Sequence, residues 1–400
     1  MKKMLWVIFI MAIGTTFPTP LFPIYQEQFH LSNLEITLLF AIYAVFLLPS
    51  LLVAGQMAIV YGLKKITMIG IIVSIISIIL FIIGTHSWQL YLSRALEGIG
   101  FGLFMGTATT LLLKQTSKSM TSKALTLSSM GIMVGFGFGP AISGLIIQNF
   151  HFQQLRFPFV ILTLLLISAA ISLGSLPDKH IVENKKEQVR IKISIPENIR
   201  FVFWPFIALT GFIVFSLNGI VISLIPTFVK TVLHTSDLSV SGLLILLLLG
   251  GGGLAQRISW PQQPVIRVRI GIILQLIGAW FMIIAGQTTN IVLLWLGILI
   301  QAIGGGWAFQ ASLQLAGIAP KPKERPQVIS AYYFASYSGF IFPTIGVGLL
   351  NLFFDLSQSL TIFNTVATII VILLVGLSFK PSILRLGYSN TRKEGKVSHE

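Results

Sequence analysis

No cysteine occurs among the 400 residues, which excludes disulfides and thiolate metal sites. Charge is also scarce. Only 10% of the residues are Asp, Glu, Lys or Arg, where a soluble domain carries about 25%. A surface with so few charges cannot be covered by water over most of its area. Between the apolar runs there is no polar stretch long enough for a second, soluble domain. The N-terminus, with Lys2 and Lys3 ahead of an apolar run, has the outline of a signal peptide. It lacks a small-x-small cleavage site, and Pro18, Pro20 and Pro23 fall inside the same run, so it reads as an uncleaved first helix.

What the chain does contain is apolar length. Hydrophobic residues make up 54% of it and the mean hydropathy is +0.89. Runs of roughly 20 apolar residues, the length that crosses a bilayer core, recur throughout. The predicted spans are 4–27, 34–56, 66–85, 88–113, 124–148, 155–176, 203–228, 238–256, 268–286, 290–316, 327–350 and 357–379. The expected fold is therefore an all-α membrane protein of twelve transmembrane helices in two six-helix bundles. The expected division is 1–176 for the first bundle, 177–202 for a linker, 203–379 for the second bundle and 380–400 for a tail.

An even number of spans puts both termini on one side. Every Lys and Arg except Arg94, Arg156 and Lys230 falls on that side, in the tails, in the linker and after even-numbered spans. By the positive-inside rule this face is cytoplasmic, which predicts a multi-pass protein of the cell membrane with both termini inside. Glu27, Glu35, Asp237 and Asp355 lie on the opposite side. The same distribution accounts for the net charge of +15 without any nucleic-acid partner.

The two halves echo each other. Pro23-Ile24-Tyr25 matches Pro226-Thr227-Phe228, Glu97 to Gly102 matches Gln301 to Gly306, and Pro140 matches Pro343, all at an offset of 203 or 204 residues. A near-constant offset favours two parallel, pseudo-symmetric halves, with a binding site near the midplane between them.

On these features the chain resembles the major facilitator superfamily over nearly its whole length. Arg94-Ala95-Leu96-Glu97-Gly98-Ile99-Gly100 is similar to the family's fourth-helix pattern, with Glu97 where Gln is usual. Gly135-Phe136-Gly137-Phe138-Gly139-Pro140-Ala141-Ile142-Ser143-Gly144 resembles the fifth-helix pattern found mostly among antiporters that export their substrates. The loop after the second helix, Gly55 to Lys65, keeps both glycines and the terminal basic residues. It has Ile59 where the family usually has an Asp that helps hold the cytoplasmic gate, so gating here would use other contacts. The resemblance implies a proton-coupled antiporter of twelve helices that exports a drug or secreted metabolite. An opine-type metallophore such as staphylopine is one candidate. The rival reading is a proton-coupled importer of a sugar, nucleoside or organic acid. It further implies a working monomer in the lipid bilayer, with a small-molecule substrate and protons as its partners. No cofactor is expected, since no Gly-Lys-Ser/Thr phosphate loop is present. An enzyme or non-transporting receptor is disfavoured by the lack of a nucleophile–base set or metal cluster.

Several polar residues are expected to carry the work. Arg94 and Glu97 lie three residues apart in an apolar helix, so they share a face. An ionisable group at that depth must be paired or face a water-filled cavity. Glu97 is the candidate proton carrier, with burial and Arg94 acting on its proton affinity in opposite directions. Arg94 is a candidate anchor for an anionic substrate, and a fixed bracing pair is the other reading. Thr15, Thr19 and Tyr25 accompany the prolines of the first span, where a broken helix could bind substrate or simply kink. Gly135, Gly139, Pro140 and Gly144 read first as packing devices. In the second half Asn218, Gln301, Trp307, Gln310 and Gln314 are candidates to line a cavity, with interhelical hydrogen bonds as the alternative use. Trp307, Gln310 and Gln314 share one face, and Tyr332, Tyr333 and Tyr337 do much the same on the next span. His30, His86, His151 and His234 are scattered over outer loops, and a metal site is not expected.

Overall fold

The computed structural model describes residues 1–117, 120–150, 153–177, 195–233, 237–258, 263–321 and 324–388. Among these residues there is no β-strand. The helices run in chain order as α1 (Lys2–Thr16), a 3-10 turn (Thr19–Leu21), α2 (Phe22–Gln28), α3 (Asn33–Tyr61), α4 (Leu63–Ile83), α5 (Ser87–Lys114), α6 (Thr121–Asn149) and α7 (Phe157–Gly174). There follow α8 (Glu197–Val202), a π-helical stretch (Phe203–Ala208), α9 (Leu209–Thr231), α10 (Leu238–Leu246), a second π-helical stretch (Leu247–Gly251) and α11 (Gly252–Ala255). The series ends with α12 (Pro264–Gln287), α13 (Ile291–Ile318), α14 (Arg325–Leu350), α15 (Leu356–Leu377) and α16 (Pro381–Tyr388).

Eleven helical segments among the described residues are long and apolar enough to cross a membrane. The twelfth, at the place of the predicted eighth span, is the shorter apolar segment Ser239–Ala255. Its π-helical stretch precedes Gly252 and Gly253, where the lack of side chains weakens helical order. The apolar residues that the helices turn outward, such as Leu164, Ile171 and Ile372 at 63%, 67% and 64% exposure, are tolerable only against lipid.

Local chemistry sets the ends of these helices. Pro18 and Pro20 supply no N–H to the last turn of α1, which ends at Thr16, and Pro23 opens α2 where a missing N–H is harmless. Ser32 and Glu35 form a reciprocal capping box at the start of α3, and Asp355 with Gln358 does the same for α15. Gly62 ends α3 at φ 93°, a conformation that side chains rarely adopt.

By contact the residues group into two compact units, Met1–Ile191 with Ile222–Gly250, and Lys192–Val221 with Gly251–Glu400. Each unit contains the same kind of helix crossing. In the first, a Cβ on Gly100 of α5 would stand 2.8 Å from the Gly70 carbonyl oxygen and 2.5 Å from Ser74 Oγ of α4. In the second, a Cβ on Gly304 of α13 would stand 2.5 Å from the Gly271 oxygen and 2.4 Å from the Gln275 nitrogen of α12. Backbone meets backbone at both places, as small residues allow in membranes. The internal repeat is thus physical as well as textual.

Candidate functional site

The deepest charges lie on α5. Arg94 and Glu97 are each 2% exposed, and Arg94 Nη1 donates to Glu97 Oε2 at 2.6 Å. The same nitrogen donates to the Thr15 carbonyl at 3.1 Å, and Nε donates to the Leu39 carbonyl at 3.3 Å. The guanidinium also lies 4.6 Å from the centre of the Tyr43 ring, close enough for a cation–π attraction. Arg94 therefore joins α5 to the end of α1 and to α3. The Thr15 carbonyl is available because the last turn of a helix leaves its acceptors without intrahelical donors.

Glu97 is satisfied on one side only. Its Oε1 is buried and has no hydrogen-bond partner, and the same holds for the Tyr25 hydroxyl. The ring of Tyr25, on α2, stacks on Phe81, which stacks in turn on Phe159. A buried acceptor without a donor is expensive, and a carboxylate oxygen in that position is a natural place for a proton. Thr15 and Thr19 are also buried, but the Thr15 hydroxyl is engaged by the Ala12 carbonyl at 2.8 Å. Thr16 beside it donates to the Phe136 carbonyl at 2.7 Å.

The glycine motif of α6 works on two faces. A Cβ on Gly139 would come within 2.4 Å of the Ile13 oxygen, and one on Gly135 within 2.8 Å of the Phe9 oxygen, both on α1. On the other face a Cβ at Gly137 would lie 2.9 Å from Leu246 Cδ1, and Gly242 of α10 presses on the Pro140 oxygen. Gly144 is buried too.

The second unit holds a cluster of amides. Gln275 Nε2 donates to the Val214 carbonyl at 3.0 Å and to Asn218 Oδ1 at 3.1 Å. Gln301 Nε2 donates to the Leu217 carbonyl at 3.1 Å, and its Oε1 is buried without a partner. Gln301 stands at the repeat position of Glu97, and it reaches the backbone of α9 as Arg94 reaches that of α1. Beside it is a small cavity, about the size of one water, lined by Gln301, Asn364, Leu217, Met282, Leu360 and Phe363 among others. Asn364 Nδ2 donates to the Ala279 carbonyl. Gln275 and Asn364 went unnoticed in the sequence, although an amide inside an apolar run was the signal that singled out Gln301.

The other candidates on α13 do not join this cluster. Trp307 Nε1 donates to the Ala255 carbonyl at 3.0 Å, Gln310 Oε1 accepts from Arg267 at 3.2 Å, and Gln314 is exposed. On α14, Tyr332 shares a hydrogen bond with Ser312 at 2.7 Å, Tyr333 meets the Tyr332 ring edge-on, and Tyr337 meets Phe215 in the same way.

After the second span Ile59 is 52% exposed. Lys64 turns to α7, donating to the Gly174 and Leu176 carbonyls at 3.0 and 2.6 Å. Glu27 pairs with Lys230. Among the described residues no three His, Asp or Glu approach as metal ligands would; His151 and His234 lie outside the described residues.

Long apolar helices and an internal repeat describe a polytopic membrane protein, with an ion pair buried in one of its helix crossings. The chain belongs to the Major Facilitator Superfamily, whose family model matches residues 4–344; it is a transport protein and not an enzyme. It is 29% identical over 165 residues to multidrug resistance protein 2 of Bacillus subtilis (strain 168), covering 41% of this chain and 40% of that one. It is 29% identical over 163 residues to the quinolone resistance protein NorA of Staphylococcus aureus, covering 40% and 41%. The alignments thus span about two-fifths of the length of these relatives. Among solved structures it is similar to a bacterial homologue of the human lysosomal transporter Spinster, inward-facing and unoccupied, with a TM-score of 0.75, 16% identity and coverage of 97% and 98%. A POT family transporter in complex with 5-aminolevulinic acid gives a TM-score of 0.79 at 14% identity, with 96% of each chain covered. The nucleoside transporter NupG gives 0.73 at 12% identity, with 94% of this chain and 99% of that one covered.

Proposed function

We propose that this chain exports a small organic molecule across the cell membrane in exchange for protons, by alternating access of its two halves, 1–176 and 203–379. The observation that carries this reading is the buried Arg94–Glu97 pair, in which Glu97 Oε1 has no partner. Such a carboxylate can take and release a proton without dismantling its contact with Arg94 through Oε2. Arg94 holds the counter-charge and fixes the geometry by its two backbone bonds. The direction of transport is supported by the fifth-helix pattern and by the names of the multidrug and quinolone resistance relatives.

The distribution of basic residues supports cytoplasmic termini and a cytoplasmic linker, and the self-contained repeat supports a working monomer. For the substrate, a buried guanidinium favours an anionic group, while amides and aromatic rings suit a planar or amphipathic body. Glu97 and Arg94 are the proposed coupling residues. The amide cluster of Asn218 and Gln301, extended by Gln275, is the proposed polar surface of the second half.

The test compares small molecules in cells and medium for strains lacking the protein, carrying it, or carrying Glu97→Gln. A compound that accumulates inside the deficient strain and the Glu97→Gln strain, and leaves cells with the parent protein, establishes proton-driven export. A compound left unused in the medium of the deficient strain turns the reading to uptake. Export undiminished by Glu97→Gln removes that residue from the mechanism.

A further inference from the structure

Glu27 lies in the last turn of α2, Lys230 in the last turn of α9, and their side chains form an ion pair within the first compact unit. The two positions are 203 residues apart, the offset that relates Pro23 to Pro226 and Tyr25 to Phe228. The partners are thus the same position of the repeat. Two equivalent positions of a twofold repeat touch each other only where the axis passes between them. Had the repeat kept one residue at both places, like charges would face each other there. Opposite charges turn that repulsion into a contact.

The neighbouring seam, where Gly242 meets the Pro140 oxygen and Gly137 meets Leu246, is a close fit of backbone and apolar groups without charge. The pair is also reachable by water, with side-chain exposures of 35% for Lys230 and 67% for Glu27. A pair so exposed biases a two-state balance by only about two- to fivefold, strong enough to favour one state and weak enough to be broken in each cycle.

We infer that Glu27 and Lys230 form a latch that holds the ends of the first and seventh spans together in one state of the transport cycle, and whose release opens the route to the outside. The inference rests on the alternating-access reading and on the outer placement of these ends, but not on proton coupling or on the identity of the substrate.

The cysteine-free chain allows a direct test. Thr227, 3% exposed and one turn before Lys230, is replaced as Thr227→Cys, and its labelling by a membrane-impermeant maleimide is timed in intact cells. Adding Glu27→Lys, or separately Lys230→Glu, should speed labelling about two- to fivefold or more, and combining both should restore the starting rate. High salt should speed labelling of the Thr227→Cys protein and leave a Glu27→Gln version unchanged, because only the former has a pair to screen. In a separate Glu27→Cys/Lys230→Cys protein, oxidation should arrest substrate movement and reductant should release it. Single reversals that label at the starting rate, a swap that does not restore it, or no labelling in any version at equal membrane levels would each overturn the latch. Labelling needs no substrate, so it stands or falls separately from the Glu97→Gln transport test.

Discussion

Gly98 of α5 lies so close to α3 that a Cβ on it would be 2.2 Å from the carbonyl oxygen of Tyr43. The obstacle is backbone, which cannot swing aside. This contact sets the separation of α5, which carries Arg94, from α3, whose Tyr43 ring and Leu39 carbonyl both meet that guanidinium.

Gly98→Ala should therefore destabilise the protein by about 1–3 kcal/mol or more, as overpacking does. Gly55→Ala, at a helical position with nothing within 4 Å, should be neutral or stabilising by about 0.5–1 kcal/mol. Thermal unfolding of the purified variants in detergent would show the contrast. Equal midpoints for both would mean that the α3–α5 contact yields.

Arg94→Ala and Glu97→Gln should differ in kind. Removing the guanidinium strips donors from Thr15, Leu39 and Glu97 together, a loss of about 3–5 kcal/mol for a broken buried pair. Glu97→Gln keeps an oxygen for Arg94 and should fold with a near-parental melting midpoint while proton-driven transport is lost. Size-exclusion profiles beside transport by the same preparations would separate the two effects.

Gln275→Leu should leave the Val214 carbonyl and Asn218 Oδ1 without their shared donor. A loss of about 1–3 kcal/mol follows from the exposed penalty of unmet buried acceptors. Gln314→Leu, at an exposed position, should change stability by less than about 0.5 kcal/mol. Melting curves that place Gln275→Leu with Gln314→Leu would dissolve the amide cluster as a structural unit.

The glycines of α6 can be told apart in the same way. Gly139→Ala meets the Ile13 oxygen at 2.4 Å, whereas Gly131→Ala meets only Ile8 Cγ2 at 3.8 Å, an ordinary contact. Expression and melting should fall for the first by about 1–3 kcal/mol and hold for the second. A Gly139→Ala protein that is fully stable but cannot transport would shift this motif from packing to function.

Much of this was legible before any coordinates. Apolar length, the positions of Pro18 and Pro20, and the matching of Glu97 with Gln301 all follow from residue type and order, because lipid leaves the backbone few choices. Helical spacing groups Trp307, Gln310 and Gln314 on a face, yet it is silent about what that face meets. Trp307 finds the Ala255 carbonyl and Gln310 finds Arg267, while Gln301 turns to α9. Such partners depend on which helices become neighbours, and no single span contains that information. The eighth span shows another limit. Composition predicts one crossing helix, and the structure interrupts it with a π-helical stretch at Leu247–Gly251, which runs into the consecutive glycines Gly250 to Gly253.

The Glu97–Gln301 equivalence carries an electrical consequence. With Glu97 ionised, its crossing with Arg94 holds no net charge; with Glu97 protonated it holds one positive charge. The counterpart crossing, Ile298 and Gln301, is neutral in either condition. A charge moved through the full membrane field exchanges about 2.3 kcal/mol per 100 mV, so on the proposed mechanism the voltage sensitivity of transport resides in one half of the repeat. A carboxylate introduced by Gln301→Glu would give the other half a share, and the dependence of transport on membrane potential would steepen or flatten accordingly.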